Sequence, residues 1–319
     1  MKTALITGVG GQDGSYLAEV LGDRGYRVVG IVRDSAKAAE LRRSGIPSAI
    51  ELAEWNLTNP DVFERLVAVF RPDEVYNCAA FSSGMGMYDE AAAIADVNGL
   101  AVTRMLDAIR RTHPTARFCQ ASSSEVFGLA DESPQSETTR RNPRSPYGAA
   151  KMYADAIIRI YRERYSLFAC SAILFNHESP RRRMEFVTRK ITHAAASIKL
   201  GLSRELRLGN LEATRDWGFA GDYARAMWHM LQTEVADDYV VATGQSHSVR
   251  EFCRLAFERV GLDYRKYVTA DPAFSRPPEA QPLLGDANKA RQILGWKAET
   301  QFHEIVHLMV DADLALLQR

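Results

Sequence analysis

The sequence lacks a net charge. Forty basic residues balance forty acidic ones among its 319 residues, so the formal charge at pH 7 is zero. This balance argues against a general nucleic-acid or membrane-surface binder, because such proteins carry a basic excess. An anionic ligand must therefore be held by a few placed arginines rather than by the field of the whole protein.

Paired cysteines and long apolar runs are also missing. The four cysteines (Cys78, Cys119, Cys170 and Cys253) lie far apart without a CxxC pair, so we expect reduced, buried thiols. The first eight residues already resemble a strand and a turn rather than a signal peptide, and no apolar stretch reaches membrane-spanning length. These absences predict a cytoplasmic protein with no membrane partner, and we assign no metal ligands.

Short apolar runs alternate with amphipathic stretches through the first half of the chain. The strand-like segments are 4–6, 27–32, 74–80, 117–122 and 168–174, and the helical segments are 16–21, 62–70, 100–111 and 149–165. Connections of this length indicate βαβ units and a parallel sheet that is covered on both faces. The sequence therefore predicts an α/β fold with a Rossmann-type, doubly wound sheet.

A second part of the chain begins near Asn176, where proline and glycine become denser and the strand–helix rhythm loosens. Residues 226–231 and 239–241 nevertheless look like another helix–strand step of the sheet. We therefore predict a dinucleotide-binding domain of residues 1–175 plus about 213–243. A smaller, interleaved substrate-binding lobe of about 176–212 and 244–319 completes the chain.

A glycine-rich turn follows the first strand and opens the first helix, in residues 7–14 (TGVGGQDG). Gly8, Gly11 and Gly14 allow a tight turn, a close approach of backbone to a pyrophosphate, and close helix–sheet packing. The helix N-terminus supplies N–H donors and the positive end of a dipole. This placement indicates a dinucleotide site.

The end of the second strand usually selects between NAD and NADP. An acidic residue there binds the ribose hydroxyl, whereas an arginine accommodates the 2′-phosphate. Arg33 and Ser35 suit a phosphate and Asp34 would repel it, so NADP is favoured and NAD stays possible. Arg42 and Arg43, a turn or so later, are equally compatible with phosphate binding and with a solvated helix face.

Tyr147 and Lys151 stand four residues apart at the start of the long helix, so both point the same way. A cationic lysine near a phenol favours the phenolate and is expected to lower its pKa. Upstream, residues 120–128 (QASSSEVFG) predict a strand that ends in hydroxyls and a carboxylate at the ligand-binding edge of the sheet. In this order the three motifs form the pattern of the extended short-chain dehydrogenases.

Longer segments resemble one family more closely. The chain is similar to the GDP-mannose 4,6-dehydratase family in residues 7–14, 73–77, 144–148, 173–180, 186–190, 208–211, 215–218 and 238–244, and on through 276–277 to 294–296. The blocks NHESP (176–180) and RDWG (215–218) are far more specific than the superfamily motifs. The resemblance runs essentially from end to end.

That resemblance places Ser123, Glu125, Tyr147 and Lys151 at the catalytic positions. It implies that Tyr147 takes the proton of the sugar 4-hydroxyl while a hydride leaves C4 for the nicotinamide. Glu125 would then remove the C5 proton and help to expel water from C6, and the hydride would return to C6. Without the resemblance, the sequence is equally compatible with a structural role for Glu125, as a carboxylate that caps the following turn.

The resemblance also implies binding residues and partners. The implied cofactor residues are Gly8, Gly11, Gln12, Asp13, Gly14, Arg33, Ser35, Asn56, Leu57, Ala79, Tyr147 and Lys151, and the implied GDP-sugar residues are Ser82, Asn176, Lys190, Arg215, Arg276 and Glu279. Arginines suit a diphosphate because the guanidinium fork matches two oxygens, and Glu279 matches two N–H donors of guanine. A surface salt bridge is the alternative for each substrate residue. A homodimer or homotetramer is expected.

The chain departs from the family pattern at several positions. Ser123 stands where threonine is usual, Asn56 replaces an aspartate near adenine, Asp34 replaces a second arginine, and Arg183 stands where glycine is common. The loop 81–87 (FSSGMGM) also differs, and in the family it borders the hexose. Three hypotheses follow: the dehydratase itself, a GDP-sugar dehydratase, epimerase or reductase acting on another hexose or a heptose, and a nucleotide-binding protein without turnover.

Overall fold

The computed structural model describes residues 1–81, 86–271 and 282–318. Twelve strands are present in this described part of the chain. They are β1 Thr3–Thr7, β2 Arg27–Val32, β3 Glu51–Glu54, β4 Glu74–Asn77, β5 Arg117–Ala121, β6 Ala169–Leu174, β7 Asn176–Glu178, β8 Leu206–Leu208, β9 Thr214–Phe219, β10 Tyr239–Val241, β11 Ser246–Ser248 and β12 Val268–Ala270.

Eleven α-helices lie in the same described ranges. They are α1 Gln12–Gly22, α2 Ser35–Arg43, α3 Pro60–Phe70, α4 Ala91–Ala95, α5 Ala101–Thr112, α6 Pro146–Tyr165, α7 Val187–Lys199, α8 Ala220–Met230, α9 Val249–Arg259, α10 Asn288–Leu294 and α11 Phe302–Leu317. A π-helical turn, Asp96–Leu100, joins α4 to α5, and short 3₁₀ turns cover Gly86–Tyr88, Ser124–Val126 and Tyr264–Lys266.

The main sheet has seven parallel strands in the order β10-β6-β5-β4-β1-β2-β3. The strand order reverses between β1 and β4, so the loops after these two strands diverge and leave a crevice. Doubly wound sheets bind ligands at this position, outside the carboxyl ends of the strands. The predicted fold class is confirmed.

Both faces of the sheet are buried, which explains why its strands are apolar without alternation. In β1, Ala4 and Ile6 join the core layer that contains α1 and α8. Leu5, between them, joins the opposite layer with α3, α5 and α6. Each of these three side chains is 0% exposed, so the strand has no solvent face.

The second half of the chain builds a further apolar cluster around Trp217. This ring packs against Phe252 and Phe302, with ring centres 5.5 and 5.9 Å apart. Helices α7, α9 and α11 surround it, and two small sheets, β11-β9-β7 and β12-β8, lie alongside. The division of the chain into two lobes with the stated bounds stays a prediction.

Three elements of the first half are absent from the predicted segments, namely α2, β3 and the short α4. Helix α2 buries only Leu41, α4 buries only Ile94, and β3 is an edge strand without a buried residue. Elements with so little buried surface leave little hydrophobic periodicity in the sequence. The predicted step at 226–231 and 239–241 is confirmed as α8 and β10.

All four cysteines are free, as expected from their wide spacing in the sequence. Cys119, Cys170 and Cys253 are buried, whereas Cys78 is only partly buried. Within the ranges described, no helix combines the length and the apolar character that crossing a membrane requires.

Candidate active site

The glycine loop between β1 and α1 is fixed by close backbone contacts. Gly8 has φ +68°, and a Cβ on it would lie 2.8 Å from the backbone of Ala79 after β4. A Cβ on Gly14 would lie 2.3 Å from the Gly8 carbonyl oxygen, and the N–H of Gly11 donates to that oxygen at 2.9 Å. A side chain at either position would collide with this backbone, so the glycines permit the tight strand–turn–helix packing that is typical of a pyrophosphate cradle.

The side chains of the first turn of α1 bond to the segment that follows β6. Gln12 donates from Nε2 to the carbonyl of His177 at 3.0 Å and accepts from the Ser179 hydroxyl at 2.8 Å. The Asp13 carboxylate accepts from Nε2 of His177 at 2.9 Å. The predicted cofactor residues Gln12 and Asp13 therefore join the glycine loop to the NHESP block.

His177 is positioned as an imidazolium. Its Nε2 faces the carboxylate of Asp13, and its Nδ1 faces the carbonyl of Phe175 at 2.7 Å, so both ring nitrogens must donate. Burial alone lowers the pKa of His177, but the charge and hydrogen bond of Asp13 raise it overall. Burial raises the pKa of Asp13, and the same pair with His177 outweighs this and lowers it to about 2.

A buried polar ladder crosses the carboxyl edge of β1, β4 and β5. The Thr7 hydroxyl donates to Oδ1 of Asn77 at 2.5 Å, and Nδ2 of Asn77 donates to Oε1 of Gln120 at 2.7 Å. The N–H of Ala79, a predicted cofactor residue, donates to Thr7 Oγ1 at 3.1 Å. The ladder holds the rim of the crevice rigid, because each buried polar group has a partner.

At the end of β2, Asp34 is the N-cap of α2. Its Oδ1 accepts from the backbone N–H of Lys37 at 2.8 Å, and its Oδ2 accepts from Nε of Arg33 at 2.9 Å. The Arg33 side chain is 76% exposed, and Ser35 is exposed at the first position of the helix. The carboxylate thus has a local structural role that the sequence pattern did not suggest.

The remaining residues near the predicted adenine end are placed by local bonds. Arg42 donates to the carbonyls of Pro47 and Ile50 at 3.1 and 2.6 Å, so it closes the loop after α2. Asn56 accepts from the N–H and hydroxyl of Thr58 and is exposed after β3, and Leu57 beside it has φ +70°. Asn56 and Leu57 therefore lie at the same carboxyl edge as Arg33.

The start of α6 is pressed against the turn after β5. Ser145 caps the helix by accepting from the N–H of Gly148 at 3.1 Å, with Pro146 at the first helical position. A Cβ on Gly148 would lie 2.5 Å from the carbonyl oxygen of Glu125. This close approach brings Tyr147 to the turn that carries Ser123 and Glu125.

The four predicted catalytic residues lie together at this junction. The Ser123 hydroxyl and the Glu125 carboxylate both lie close enough to Tyr147 to act on its phenol, and the hydroxyl favours the phenolate whereas the carboxylate disfavours it. Nζ of Lys151 donates to the carbonyl of Ala121 at 2.7 Å and stands 5.7 Å from the centre of the Tyr147 ring. The Lys151 side chain is buried, whereas Glu125 and Tyr147 are partly exposed.

The pKa of Tyr147 differs from the expectation drawn from its spacing to Lys151. Burial raises this pKa to about 12, and the hydrogen bond from Ser123 offsets only part of the rise. Lys151 itself is desolvated, which lowers its pKa to about 8. The reason is physical: burial disfavours the charged form of both groups, so proximity alone does not produce a phenolate.

Three of the six predicted substrate residues lie within the described ranges, and three do not. Asn176 begins β7 opposite Trp217 of β9, and Arg215 lies two residues before Trp217 on that strand, where it donates to the Thr214 carbonyl. Lys190 is exposed on α7. Ser82, Arg276 and Glu279 lie outside the described residues.

Three residues near this junction were not predicted as site residues from the sequence: His177, Arg182 and Asp155. Arg182 lies close enough to act electrostatically on Asp13, His177 and Tyr147. His177 and Arg182 stand in or beside the NHESP block, whose specificity was a signal of function. Asp155 follows Lys151 by one helical turn, and a periodic apolar helix gives no reason to single it out.

Comparison with known proteins adds an independent finding. Residues 5–309 match the family described as GDP-mannose 4,6 dehydratase. The chain is 48% identical to GDP-mannose 4,6 dehydratase 2 of Arabidopsis thaliana over 100% of its own length and 88% of that protein. It is 44% identical to the human GDP-mannose 4,6 dehydratase over 99% and 92%.

A solved structure is also similar. UDP-glucose 4-epimerase of Thermus thermophilus, in complex with NAD, superposes with a TM-score of 0.84 at 25% identity and covers 98% of each chain.

Proposed function

The chain belongs to the GDP-mannose 4,6-dehydratase family, and on that premise we propose that it converts GDP-mannose to GDP-4-keto-6-deoxymannose. The observation that carries the proposal is the junction of Ser123, Glu125, Tyr147 and Lys151 beside the glycine cradle. This is a hydro-lyase reaction, in which water leaves the hexose.

A nicotinamide dinucleotide suits this loop, because Gly8 and Gly14 let the backbone of the loop pack tightly onto Ala79 and the start of α1, at a helix N-terminus that favours a pyrophosphate. When bound in its oxidised form, such a cofactor supplies a hydride acceptor and a positive charge. The residues proposed to hold it are Gly8, Gly11, Gln12, Asp13, Gly14, Ala79, Asn56 and Leu57, together with Arg33 and Ser35. Tyr147 and Lys151 would border the nicotinamide end.

Tyr147 is the proposed acceptor of the proton from the sugar 4-hydroxyl. Its phenol bonds to the Ser123 hydroxyl, and the buried Lys151 ammonium stands over its ring. Both interactions favour the phenolate, and because the pKa of Tyr147 is about 12 in the free protein, further positive charge must come with the cofactor. A base placed in this way contributes a factor of about 10² to 10⁴ in rate.

Glu125 is the proposed base at C5. The Glu125 carboxylate lies close enough to Tyr147 to act on it electrostatically, and it stays partly exposed on the turn after β5. It is therefore accessible to C5 of a hexose whose 4-hydroxyl lies at Tyr147. Once C4 is a ketone, the C5 proton is acidic, and its removal allows the C6 hydroxyl to leave as water. Glu125 would then protonate that leaving hydroxyl. The hydride taken from C4 would return to C6 while C5 takes up a proton, which balances the proton that Tyr147 removed from the 4-hydroxyl.

For the GDP portion, Asn176, Lys190 and Arg215 are the proposed contacts among described residues. Ser82, Arg276 and Glu279 complete the proposal from outside the described ranges. The adjacency of β7 and β9 supports a shared site for Asn176 and Arg215. An arginine fork suits the diphosphate.

The test is product identity. Purified protein with NADP, GDP-mannose and no added reductant should yield the 4-keto-6-deoxy sugar, followed by mass spectrometry and NMR. The Tyr147→Phe variant is the control for contaminating activity. A product that is an epimer, or turnover only with another GDP-hexose or GDP-heptose, would favour the alternative that the altered loop 81–87 suggests. No turnover with any GDP-sugar would contradict the proposal.

We propose NADP as the preferred cofactor. Arg33 and Ser35 are exposed at the N-terminus of α2, where the helix dipole favours a phosphate. Asp34 competes for Arg33, so discrimination against NAD should be weak. Titrating both cofactors against wild type and Asp34→Asn, which keeps a capping side chain, should show tighter NADP binding in the variant. Tighter binding of NAD to the wild type would contradict this assignment.

A homodimer or homotetramer located in the cytoplasm is also proposed. Tyr153 and Ile160 lie seven residues apart, and so on one face of α6, with large side chains that are 38% and 48% exposed, which supports a helix-mediated interface. Sedimentation at micromolar concentration should show an oligomer, and a monomer would contradict it.

A further inference from the structure

Asp155 is a buried carboxylate that the mechanism above does not use. It lies on α6 one turn after Lys151, and its side chain is only 4% exposed. Residues four apart on a helix share one face, so Asp155 and Lys151 both face the sheet beneath. A carboxylate this deeply buried is costly unless charged or polar partners compensate for its lost hydration.

Three side chains favour the Asp155 carboxylate, and each comes from a different part of the chain. The Ser122 hydroxyl, at the end of β5, donates to its Oδ2 at 2.9 Å. Nε of Arg141, from the segment before α6, lies 3.9 Å from the same oxygen. Ser171 of β6 also lowers the pKa of this carboxyl, and Asp238, which is paired with Arg162, raises it by repulsion.

Lys151 has few anions to balance it. The groups that favour its ammonium are Asp155 first, then Cys78 and Asp13. Burial raises the pKa of the Cys78 thiol far above its usual range, so this group is uncharged near neutral pH, and the Asp13 carboxylate is already paired with His177. Asp155 is left as the buried carboxylate on the same face of α6 as Lys151, and the two side chains bond to adjacent residues at the end of β5, Lys151 to the Ala121 carbonyl and Asp155 to the Ser122 hydroxyl.

We propose that Asp155 is a positioning residue for the reaction. It is the buried counter-ion that keeps Lys151 protonated and hydrogen-bonded to the carbonyl of Ala121, next to Tyr147. This inference rests on the proposed function in one respect, because Lys151 is taken to serve Tyr147. Through that lysine, Asp155 maintains the positive charge that the phenolate needs. It does not itself touch the sugar.

The test is a direct titration of Lys151 in the full-length protein. Lysine labelled with ¹³C at Cε gives one resonance per side chain, and the Lys151 signal is identified by its loss in Lys151→Met. In Asp155→Asn the titration midpoint of Lys151 should fall by about one pH unit, since an anion a helical turn away has gone. An unchanged midpoint would overturn the proposal.

Ser122→Ala is the matched control, because it removes the hydrogen bond to Asp155 and leaves the charge in place. Its Lys151 midpoint should stay within a few tenths of a pH unit of the wild type. An equal fall in both variants would mean that packing, rather than the charge of Asp155, governs Lys151, and would also overturn the proposal.

A second readout covers the case in which Asp155→Asn does not fold. Burial and Asp238 raise the pKa of Asp155 to about 6, so the wild-type Lys151 resonance should show a second, smaller inflection there. Arg141→Gln should move that inflection to higher pH, because the carboxylate loses a nearby cation. Absence of the inflection, or no movement in the variant, counts against the proposal.

A kinetic measurement then separates the role of Asp155 from the proposed dehydratase activity. The alkaline limb of kcat/KM for GDP-mannose should shift to lower pH in Asp155→Asn by the same amount as the Lys151 midpoint. A wild type without turnover would refute the proposed function, and the resonance titration would still decide the role of Asp155.

Discussion

Replacing Gly14 by alanine tests the cofactor cradle at its tightest point. The added Cβ would lie 2.3 Å from the Gly8 carbonyl oxygen and 2.8 Å from Cα of Val9. Both are backbone atoms, so no side chain can rotate away, and either the loop or the first turn of α1 must shift. Overpacking of this kind costs about 1–3 kcal/mol.

The intrinsic preference of helices for alanine offsets part of this cost, by up to about 1 kcal/mol. We therefore expect a net destabilisation of about 1–2 kcal/mol and a fall of a few degrees in the unfolding midpoint. Cofactor affinity should fall by tenfold or more, because the displaced N–H groups are those proposed to bind the pyrophosphate. Thermal unfolding and a fluorescence titration with NADP measure the two effects.

Gly22→Ala is the matched control on the same helix. Gly22 is exposed at the end of α1, and an added Cβ would meet no atom within 4 Å. This variant should gain up to about 1 kcal/mol and bind NADP as the wild type does. If Gly14→Ala matched the wild type in both assays, the cradle would not be constrained as described.

Three further predictions concern the reacting groups and their supports. Tyr147→Phe should lower kcat by a factor of about 10² to 10⁴ with unchanged NADP affinity, and a near wild-type kcat would contradict its role as the base. Glu125→Gln should slow exchange of the C5 proton with deuterated solvent more than it slows hydride transfer from C4; equal losses would make Glu125 structural. Asp13→Asn should destabilise the protein by on the order of 2 kcal/mol at neutral pH, because the pKa of Asp13 is lowered from 3.8 to about 2. That difference should vanish as the pH falls from about 4 to about 2, where wild-type Asp13 becomes protonated, and a pH-independent difference in denaturant unfolding would refute the pairing.

Much of the sheet could be predicted from the sequence because its strands are buried on both faces. Continuous apolar runs such as 27–32 and 168–174 leave a strong signal, and β2 begins and ends where that pattern predicts. The edge elements α2 and β3 bury too little surface to leave one.

The site was predictable where short-range spacing fixes it and not where partners are distant in sequence. Tyr147 and Lys151 face the same way because they are four apart on one helix. The pairs Asp13–His177 and Ser122–Asp155 join residues 164 and 33 positions apart, and only the fold brings them together. The pKa of Tyr147 also depends on burial, which the Tyr-x-x-x-Lys spacing does not encode.

The proposed reaction is an internal redox cycle in which a hydride taken from C4 of the hexose returns to C6 of the same molecule. GDP-mannose deuterated at C4 tests it directly, with a trace of unlabelled NADP and no reductant. We expect a 4-keto-6-deoxy product that carries the deuterium at C6, seen by NMR, with many turnovers per cofactor. Deuterium retained at C4 of an epimer, or lost to the bulk cofactor pool, would contradict it.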